Sequence, residues 1–211
     1  MLTVYTLPIS LYCAKLRILL RHKKLEWQEQ PPPGGYGSDE YKKTVASGNL
    51  PALVDGDLLL ADGEAIAEYL NEKYPDPAML PDDIVSRAKV RELGRFHDTR
   101  LEPALRKLFP HLATAKRNPD LNATQSVEIS ARLKQLETLL EDMPLSDDLM
   151  LSDCGFAITF FWIDVLTPVL NLDIAWPRDL IAWRQKIENY PAVAEELADY
   201  SPRLAEWLGG L

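Results

Sequence analysis

The sequence is poor in three features: cysteine, long apolar segments and clustered positive charge. Two cysteines in 211 residues cannot build the disulfide framework of a small secreted protein, and so few thiols favour a reducing compartment. No apolar run approaches the ~20 residues that a membrane-spanning helix needs. The first residues also lack the basic segment that opens an export signal. We therefore expect a cytoplasmic protein without a membrane partner.

The formal net charge is −9, and acidic residues outnumber basic ones on both sides of residue 82. Binding of nucleic acid needs a clustered positive face, so we expect no nucleic-acid partner. The histidines, His22, His97 and His111, are scattered without metal-ligand spacing. They are predicted to be surface or packing residues, and no metal cofactor is expected.

The first 76 residues alternate between strand and helix patterns. Short β-rich runs bounded by turn residues predict strands, and apolar residues at helical spacing predict helices. The predicted strands cover residues 2–6, 25–30, 51–54 and 58–60, and the predicted helices cover 11–23, 39–46 and 63–73. The resulting order, βαβαββα, is typical of a thioredoxin-like α/β domain.

A second domain follows a proline-rich stretch at residues 74–83, from which we assign the linker to 77–83. Residues 84–211 have no convincing strand and predict an all-helical domain. The segment 154–170 is apolar almost all round, which predicts a helix at the core of this bundle. The other predicted helices cover residues 84–113, bent at Pro103, and 124–143, 178–188 and 192–207.

The turn between the first strand and helix contains Ser10 and Cys13 in an S-x-x-C pattern. A serine here caps the helix and lies beside the free N–H groups of its first turn, an environment that stabilises an anion. The spacing equals that of a redox C-x-x-C motif whose first cysteine is replaced by serine. Such a turn could activate a thiol supplied by a ligand, but Ser10 could equally be a plain N-cap.

Two further segments are informative only together with this turn. Pro51 follows Asn49 and Leu50 and opens a strand; with a cis bond, the Leu50 backbone would face outward and could pair with a peptide ligand. Asp62 and Gly63 open the last helix of the domain, where free N–H groups could hold a carboxylate. Taken singly, each is better explained as an ordinary strand start or helix cap.

In this order and spacing, the segments resemble the cytosolic glutathione S-transferase superfamily. The Ser10-x-x-Cys13-x-Lys15-x-Arg17 turn is similar to the serine-type bacterial, zeta, tau and theta-like branches. The proline-rich linker and the apolar helix beginning at Asp153 also fall where that family has them. The resemblance therefore covers the whole chain.

The resemblance implies a site for glutathione as co-substrate. Ser10 would be the catalytic residue, donating a hydrogen bond to the glutathione sulfur and favouring its thiolate. Leu50, before a cis-proline at Pro51, would pair with the cysteinyl backbone, and Asp62 and Gly63 would bind the γ-glutamyl group. The other implied glutathione-binding positions are Tyr12, Lys43 and Asn49.

Two positions depart from the family pattern. Gly63 stands where the family usually has serine, so one hydrogen bond to the γ-glutamyl carboxylate is missing, at a cost to affinity of ~1.5–3 kcal/mol. Met150 replaces the serine or threonine that usually caps the buried helix, which leaves Asp153 to cap it alone.

Cys13 lies one turn inside the helix, where a thiolate gains little from the helix dipole. We interpret it as a buried structural thiol, with mixed-disulfide chemistry as the alternative. Trp162 and Trp207 either contact a hydrophobic substrate or belong to the core.

The implied reaction is detoxification by attack of the glutathione thiolate on a small hydrophobic electrophile, and the family implies a homodimer. Two alternatives stay open. One is a glutathione-dependent isomerase of the maleylacetoacetate type, and the other is a non-catalytic binding or regulatory protein on the same fold. Gly63 is the feature that supports the second alternative.

Overall fold

The N-terminal domain is built on a four-stranded mixed sheet. In the computed structural model, which describes residues 1–141, 143 and 146–211, the strands lie in the order β2-β1-β3-β4. Strands β1 and β2 are parallel, whereas β3 is antiparallel to both of its neighbours. The elements in chain order are β1 (Leu2–Tyr5), α1 (Leu11–His22), β2 (Trp27–Gln30), α2 (Asp39–Lys42), β3 (Ala52–Asp55), β4 (Leu58–Leu60) and α3 (Gly63–Lys73). The predicted order βαβαββα is confirmed.

The rest of the described chain is helical, as predicted for the second domain. Its α-helices are α4 (Ile84–Phe96), α5 (Glu102–Arg106), α6 (Pro119–Glu141), α7 (Leu151–Leu170), α8 (Arg178–Glu188) and α9 (Pro191–Gly209). Short 3₁₀ turns lie at Phe109–His111 and Thr114–Lys116. The fold class, an α/β domain followed by a helical region, is confirmed. The proposed boundaries at 1–76, 77–83 and 84–211 stay predictions.

The prediction of one helix over 84–113 was wrong in its length and in its single bend. Helix α4 passes into a π-helical turn at His97–Leu101, and the helix then ends at Arg106. The N–H of Glu102 donates to the carbonyl of His97, five residues back. Because Pro103 has no N–H to continue the regular ladder, the wider turn precedes it.

Two helical starts were predicted too late, although the Asp153 cap itself was expected. Helix α6 begins at Pro119 rather than 124, since the Asn118 side chain accepts the N–H of Leu121 at 3.1 Å and proline suits the first helical position. Helix α7 begins at Leu151 rather than 154, because the Asp153 carboxylate accepts the Met150 N–H at 2.9 Å. The end predicted for α6 includes residue 142, which lies outside the described residues.

Helix α1 is buried between the sheet and the helical region. Its buried residues include Lys15 and Arg17 besides the apolar side chains. It packs against α3 on one side and against α7 and α9 on the other. One continuous apolar core therefore joins the two parts of the protein, and α1 carries both the start of the site and the interface behind it.

Helix α7 lies at the centre of the helical region. Phe156, Phe160 and Trp162 are fully buried within it. By length and composition it is, among the described residues, the one helix apolar enough to cross a membrane, but most of it is buried inside the protein. This burial is typical of a core helix and agrees with the prediction for residues 154–170.

Candidate active site

A cleft of about 690 Å³ lies between the N-terminal domain and the helical region. It is lined by seven of the residues predicted for the glutathione site: Ser10, Tyr12, Asn49, Leu50, Pro51, Asp62 and Gly63. Lys43 is the exception. It is an exposed residue at the end of α2 and does not line the cleft. The turns that carry Ser10, Leu50 and Asp62 are distant in sequence but lie together on the N-terminal-domain side of the cleft.

Ser10 is the N-cap of α1. Its Oγ accepts the N–H of Cys13 at 3.4 Å, and its side chain is half-buried at the cleft. The hydroxyl proton remains available to a ligand, next to the free N–H groups of the first helical turn. Cys13 is 1% exposed, so the structure agrees with the prediction of a buried thiol.

The turn before Ser10 is fixed by side chains from elsewhere in the chain. Arg17 donates to the carbonyl of Pro8 at 3.1 Å. Tyr200 of α9 donates to the carbonyl of Ile9 at 2.7 Å, and the indole of Trp162 donates to the Tyr200 hydroxyl at 2.8 Å. The backbone that presents Ser10 is therefore held from α1 and from the helical region together.

The Leu50–Pro51 peptide bond is cis. Neither the N–H nor the C=O of Leu50 has a hydrogen-bond partner within the described part of the chain. The preceding carbonyl, of Asn49, accepts the hydroxyl of Tyr41 at 3.0 Å, which anchors the loop. The Leu50 backbone can therefore pair with an extended peptide lying in the cleft.

Asp62 caps the N-terminus of α3. Its Oδ1 accepts the N–H groups of Glu64 and Ala65, each at 3.0 Å, and the side chain is exposed. At Gly63, an added Cβ would lie 3.8 Å from Pro51 and 4.0 Å from Tyr12, which are ordinary contact distances. Glycine is therefore not sterically required at position 63, and the missing serine could be accommodated.

A buried polar cluster behind this turn was not predicted from the sequence. Lys15 Nζ lies 2.7 Å from Glu64 Oε2 and 3.1 Å from both oxygens of Asp98. His97 bonds to Asp98 at 2.7 Å and, through its other ring nitrogen, to Thr159 at 2.7 Å. We call these five residues the Lys15 cluster. It joins α1 and α3 to the π-helical turn that follows α4 and to α7.

Burial alone would raise the pKa of Asp98, but the His97 hydrogen bond and the Lys15 charge hold it well below its usual range. The close approach of His97 to α7 requires a glycine there, since a Cβ at Gly155 would come within 2.7 Å of the imidazole ring. A sequence signal did exist: Lys15 and Arg17 are the only charges in the run 11–20. The partners of Lys15 could not be read from it.

The helical region supplies an aromatic wall of Phe109, Trp162 and Trp207. Phe109 and Trp162 have ring centroids 4.6 Å apart, and Trp162 and Trp207 meet edge-on at 6.3 Å. All three line the cleft. Trp162 fits both alternatives posed by the sequence, because it lines the cleft and is also a buried core residue. Trp207 lines the cleft and is half-buried.

Tyr12 connects the two walls. Its hydroxyl donates to Glu102 at 3.2 Å, and the Arg106 guanidinium lies 5.4 Å from the centre of its ring. Burial, followed by the negative charges of Glu102 and Asp98, strongly raises the pKa of its phenol. The Tyr12 phenol therefore stays neutral near neutral pH, and its hydroxyl is a donor to Glu102.

Comparisons with known proteins agree with this architecture. Residues 4–78 match the family model described as glutathione S-transferase, N-terminal domain. Residues 4–78 therefore form a glutathione S-transferase N-terminal domain, and the whole chain shares its fold with solved glutathione transferases. The predicted superfamily is thereby confirmed, while the serine-type bacterial branch stays a prediction.

Individual matches vary in extent. A stringent starvation protein A homolog of Pasteurella multocida is 28% identical over 159 residues, which cover 74% of this chain and 72% of that protein. Glutathione S-transferase Z1 of Arabidopsis thaliana is 42% identical over 80 residues, or 36% of each chain. A bacterial zeta-class maleyl pyruvate isomerase superposes with a TM-score of 0.76 at 24% identity, covering 92% of this chain and 95% of that one.

Proposed function

We propose that the protein is a glutathione S-transferase that activates the thiol of bound glutathione at Ser10. One observation carries the proposal: the cleft joins the Ser10 cap, the outward backbone of Leu50 and the Asp62–Gly63 turn on one wall. An extended tripeptide would pair its cysteinyl backbone with Leu50 and place its γ-glutamyl end at the N-terminus of α3. This arrangement directs the sulfur to the Ser10 hydroxyl.

The chemistry needs a thiolate near neutral pH. A free thiol has a pKa of ~8.5, and each unit of lowering requires ~1.4 kcal/mol of preference for the anion. The Ser10 hydroxyl and the N-terminus of α1 supply this preference, and the thiol proton leaves to water. The thiolate then attacks an electrophilic carbon held beside it. The new carbon–sulfur bond forms as a leaving anion departs or, at an activated double bond, as the neighbouring carbon takes a proton from water. Proximity supplies the rest of the catalysis.

The second substrate is proposed to bind against the aromatic wall. Phe109, Trp162 and Trp207 offer a face suited to a small hydrophobic compound. Such a pocket fits the detoxification chemistry that the resemblance implies.

We also propose a cytoplasmic homodimer. Both cysteines are free and buried, as suits a reducing compartment. Apolar side chains are exposed on β4 (Leu58 and Leu59) and at the start of α4 (Ile84 and Val85). Light scattering after gel filtration should give a mass near twice the 23.9 kDa of one chain.

Two other functions have an observation in their favour. Similarity to zeta-class proteins, one of them a maleyl pyruvate isomerase, favours a glutathione-dependent isomerase in which the thiolate adds and then leaves. Similarity to a stringent starvation protein A homolog, together with Gly63, favours a non-catalytic regulatory protein. The transferase ranks above the regulatory protein because Ser10 lies in the cleft with the other predicted glutathione positions. It ranks above the isomerase because Leu11 and Tyr12 separate Ser10 from Cys13, where the zeta-type turn has a serine pair before its cysteine.

Calorimetric titration with glutathione, followed by thiolate absorbance at 240 nm against pH, separates these functions. The transferase predicts binding at or below millimolar concentration and a bound thiol pKa one to two units below ~8.5. Absence of binding would favour the regulatory function. Turnover of a maleyl compound, a keto acid with one cis carbon–carbon double bond, without net consumption of glutathione would favour the isomerase.

A further inference from the structure

Helix α4 passes beside α3 in the opposite direction. Arg91 makes a bidentate ion pair with Glu68: its Nε and Nη2 donate to the two carboxylate oxygens at 2.7 and 2.8 Å. One turn further along α4, a Cβ at Gly94 would lie 3.2 Å from the Glu64 carboxylate. Higher numbers on α4 thus meet lower numbers on α3, which places the next residue, Arg95, beside the Asp62–Gly63 turn.

Arg95 lines the cleft and is exposed to it. Its guanidinium has no ion pair or hydrogen bond with any residue in the described ranges. Arg91, one turn away on the same helix, is instead ion-paired with Glu68. Arg106, the other arginine on the cleft, is ion-paired with Glu102 and packs over the rings of Tyr12 and Phe109.

The charges around the turn are otherwise negative. Asp62, Glu64 and Asp98 all line this part of the cleft, and Lys15 is shared between Glu64 and Asp98. A ligand carboxylate placed here would be repelled unless a further cation faced it. Gly63 supplies no hydroxyl donor, so the site needs both a donor and a positive charge.

We propose that Arg95 binds the α-carboxylate of the γ-glutamyl group, replacing the hydroxyl donor that Gly63 lacks. This inference rests on the proposed function. The planar guanidinium can bind a carboxylate through two parallel hydrogen bonds, which a serine cannot do. Asp62 is the complementary partner: its Oδ1 is used by the α3 cap, which leaves Oδ2 for the ligand ammonium.

The test pairs one substitution with one change in the ligand. Arg95→Gln removes the charge, and 4-aminobutanoyl-cysteinylglycine is glutathione without its α-carboxylate. Calorimetry should show that wild type binds this analogue about tenfold more weakly than glutathione, and that Arg95→Gln binds glutathione about tenfold more weakly than wild type. Arg95→Gln should bind glutathione and the analogue with equal affinity. The ion pair between Arg95 and the α-carboxylate is already absent in the variant, so removing the carboxylate as well has no further effect.

Two further variants serve as controls. Arg91→Gln changes an arginine on the same helix that faces Glu68 instead of the cleft, and it should bind glutathione like wild type. Arg95→Lys keeps the positive charge but lacks the parallel N–H donors of a guanidinium. It should bind glutathione more tightly than Arg95→Gln and more weakly than wild type.

Two results would overturn the inference while leaving the proposed function intact. One is wild-type glutathione affinity in Arg95→Gln. The other is an equal loss on both ligands, which would show a structural effect of the substitution. If wild type itself bound no glutathione, the proposed function would fail and the inference would fail with it.

Discussion

The two walls of the cleft are built on different principles. The N-terminal wall consists of three turns that present backbone groups and short polar side chains at Ser10, Leu50 and Asp62. The opposite wall consists of large side chains from several helices, chiefly Arg95, Arg106, Phe109, Trp162 and Trp207. The N-terminal wall offers a ligand mainly backbone groups, whose positions depend on the conformation of the turns. The opposite wall offers mainly side chains, whose size and charge depend on residue identity.

Because of this difference, amino-acid substitutions should affect the two walls differently. A wall of backbone groups keeps its ligand as long as the turns keep their conformation. A wall of side chains changes its specificity with each replacement, because the shape and charge of the pocket change directly. The Lys15 cluster lies at the junction of the two walls, so it should affect both.

The largest effect is expected from Lys15→Met. Removing the cation leaves the Glu64 and Asp98 carboxylates facing each other in a buried site, and breaking a buried pair in this way costs about 3–5 kcal/mol. Urea unfolding should show this loss. Lys43→Met, at an exposed position outside the cleft, should change stability by under about 0.5 kcal/mol. A similar small change in both variants would show that the two walls are independent.

The second prediction concerns pH and the helix that carries Trp162. Burial raises the pKa of Asp153 to about 7, above that of an unfolded aspartate. The folded state therefore holds a proton that the unfolded state releases, so this residue's contribution to stability is lost as pH rises from about 4 to about 7. At about 1.4 kcal/mol per unit, the loss is up to about 4 kcal/mol.

Asp153→Asn isolates this effect, since an amide oxygen can still accept the Met150 N–H. Urea unfolding at pH 5 and pH 8 should show a smaller decline in the variant than in wild type. Parallel profiles for the two proteins would contradict the prediction.

Ser10→Ala tests the N-terminal wall. The hydroxyl interacts with a negative sulfur but not with an alkylated one, so the bound thiol pKa should rise while S-methylglutathione binds almost unchanged. One charge-assisted hydrogen bond of ~1.5–3 kcal/mol corresponds to a ten- to hundredfold slower conjugation near neutral pH. Cys13→Ala, at a position only 1% exposed, should leave the rate unchanged. Loss of activity in Cys13→Ala alone would mean that disulfide exchange at Cys13 is the reaction.

The smallest effect is expected from Gly63→Ser. The structure has room for the side chain, whose hydroxyl would add a donor to the ligand carboxylate beside Arg95. The expected gain is about 1 kcal/mol, on the order of fivefold in glutathione affinity by calorimetry. Unchanged affinity would indicate that the γ-glutamyl group is already saturated by other residues.

The N-terminal wall was largely predictable from the sequence because local patterns determine it. A serine before a helix, a proline opening a strand and an aspartate opening a helix each specify a turn within a few residues. The role of Lys43 was transferred from resemblance and stays a prediction; α2 ends at Lys42, and the Lys43 side chain is exposed outside the cleft lining.

The Lys15 cluster was not predictable for a physical reason, and the second wall was predictable only at Trp162 and Trp207. The contacts of Lys15 with Glu64 and Asp98 span 49 and 83 positions, and such pairings depend on tertiary packing that periodicity does not record. Arg95 carries no sequence signal at all. Its place is defined only once α4 lies against α3, and the π-helical turn after it was predicted as a simple bend.

The hydrogen bond from Tyr200 to Ile9 joins residues 191 positions apart. During synthesis, the turn that carries Ser10 leaves the ribosome early, while the side chain that fixes it belongs to the last helix. Contacts of such separation form late and slow folding, because a long loop must close before they gain any energy. A nascent chain that has completed only its α/β domain therefore contains the Ser10 turn without this hydrogen bond, and the turn gains it when α9 docks.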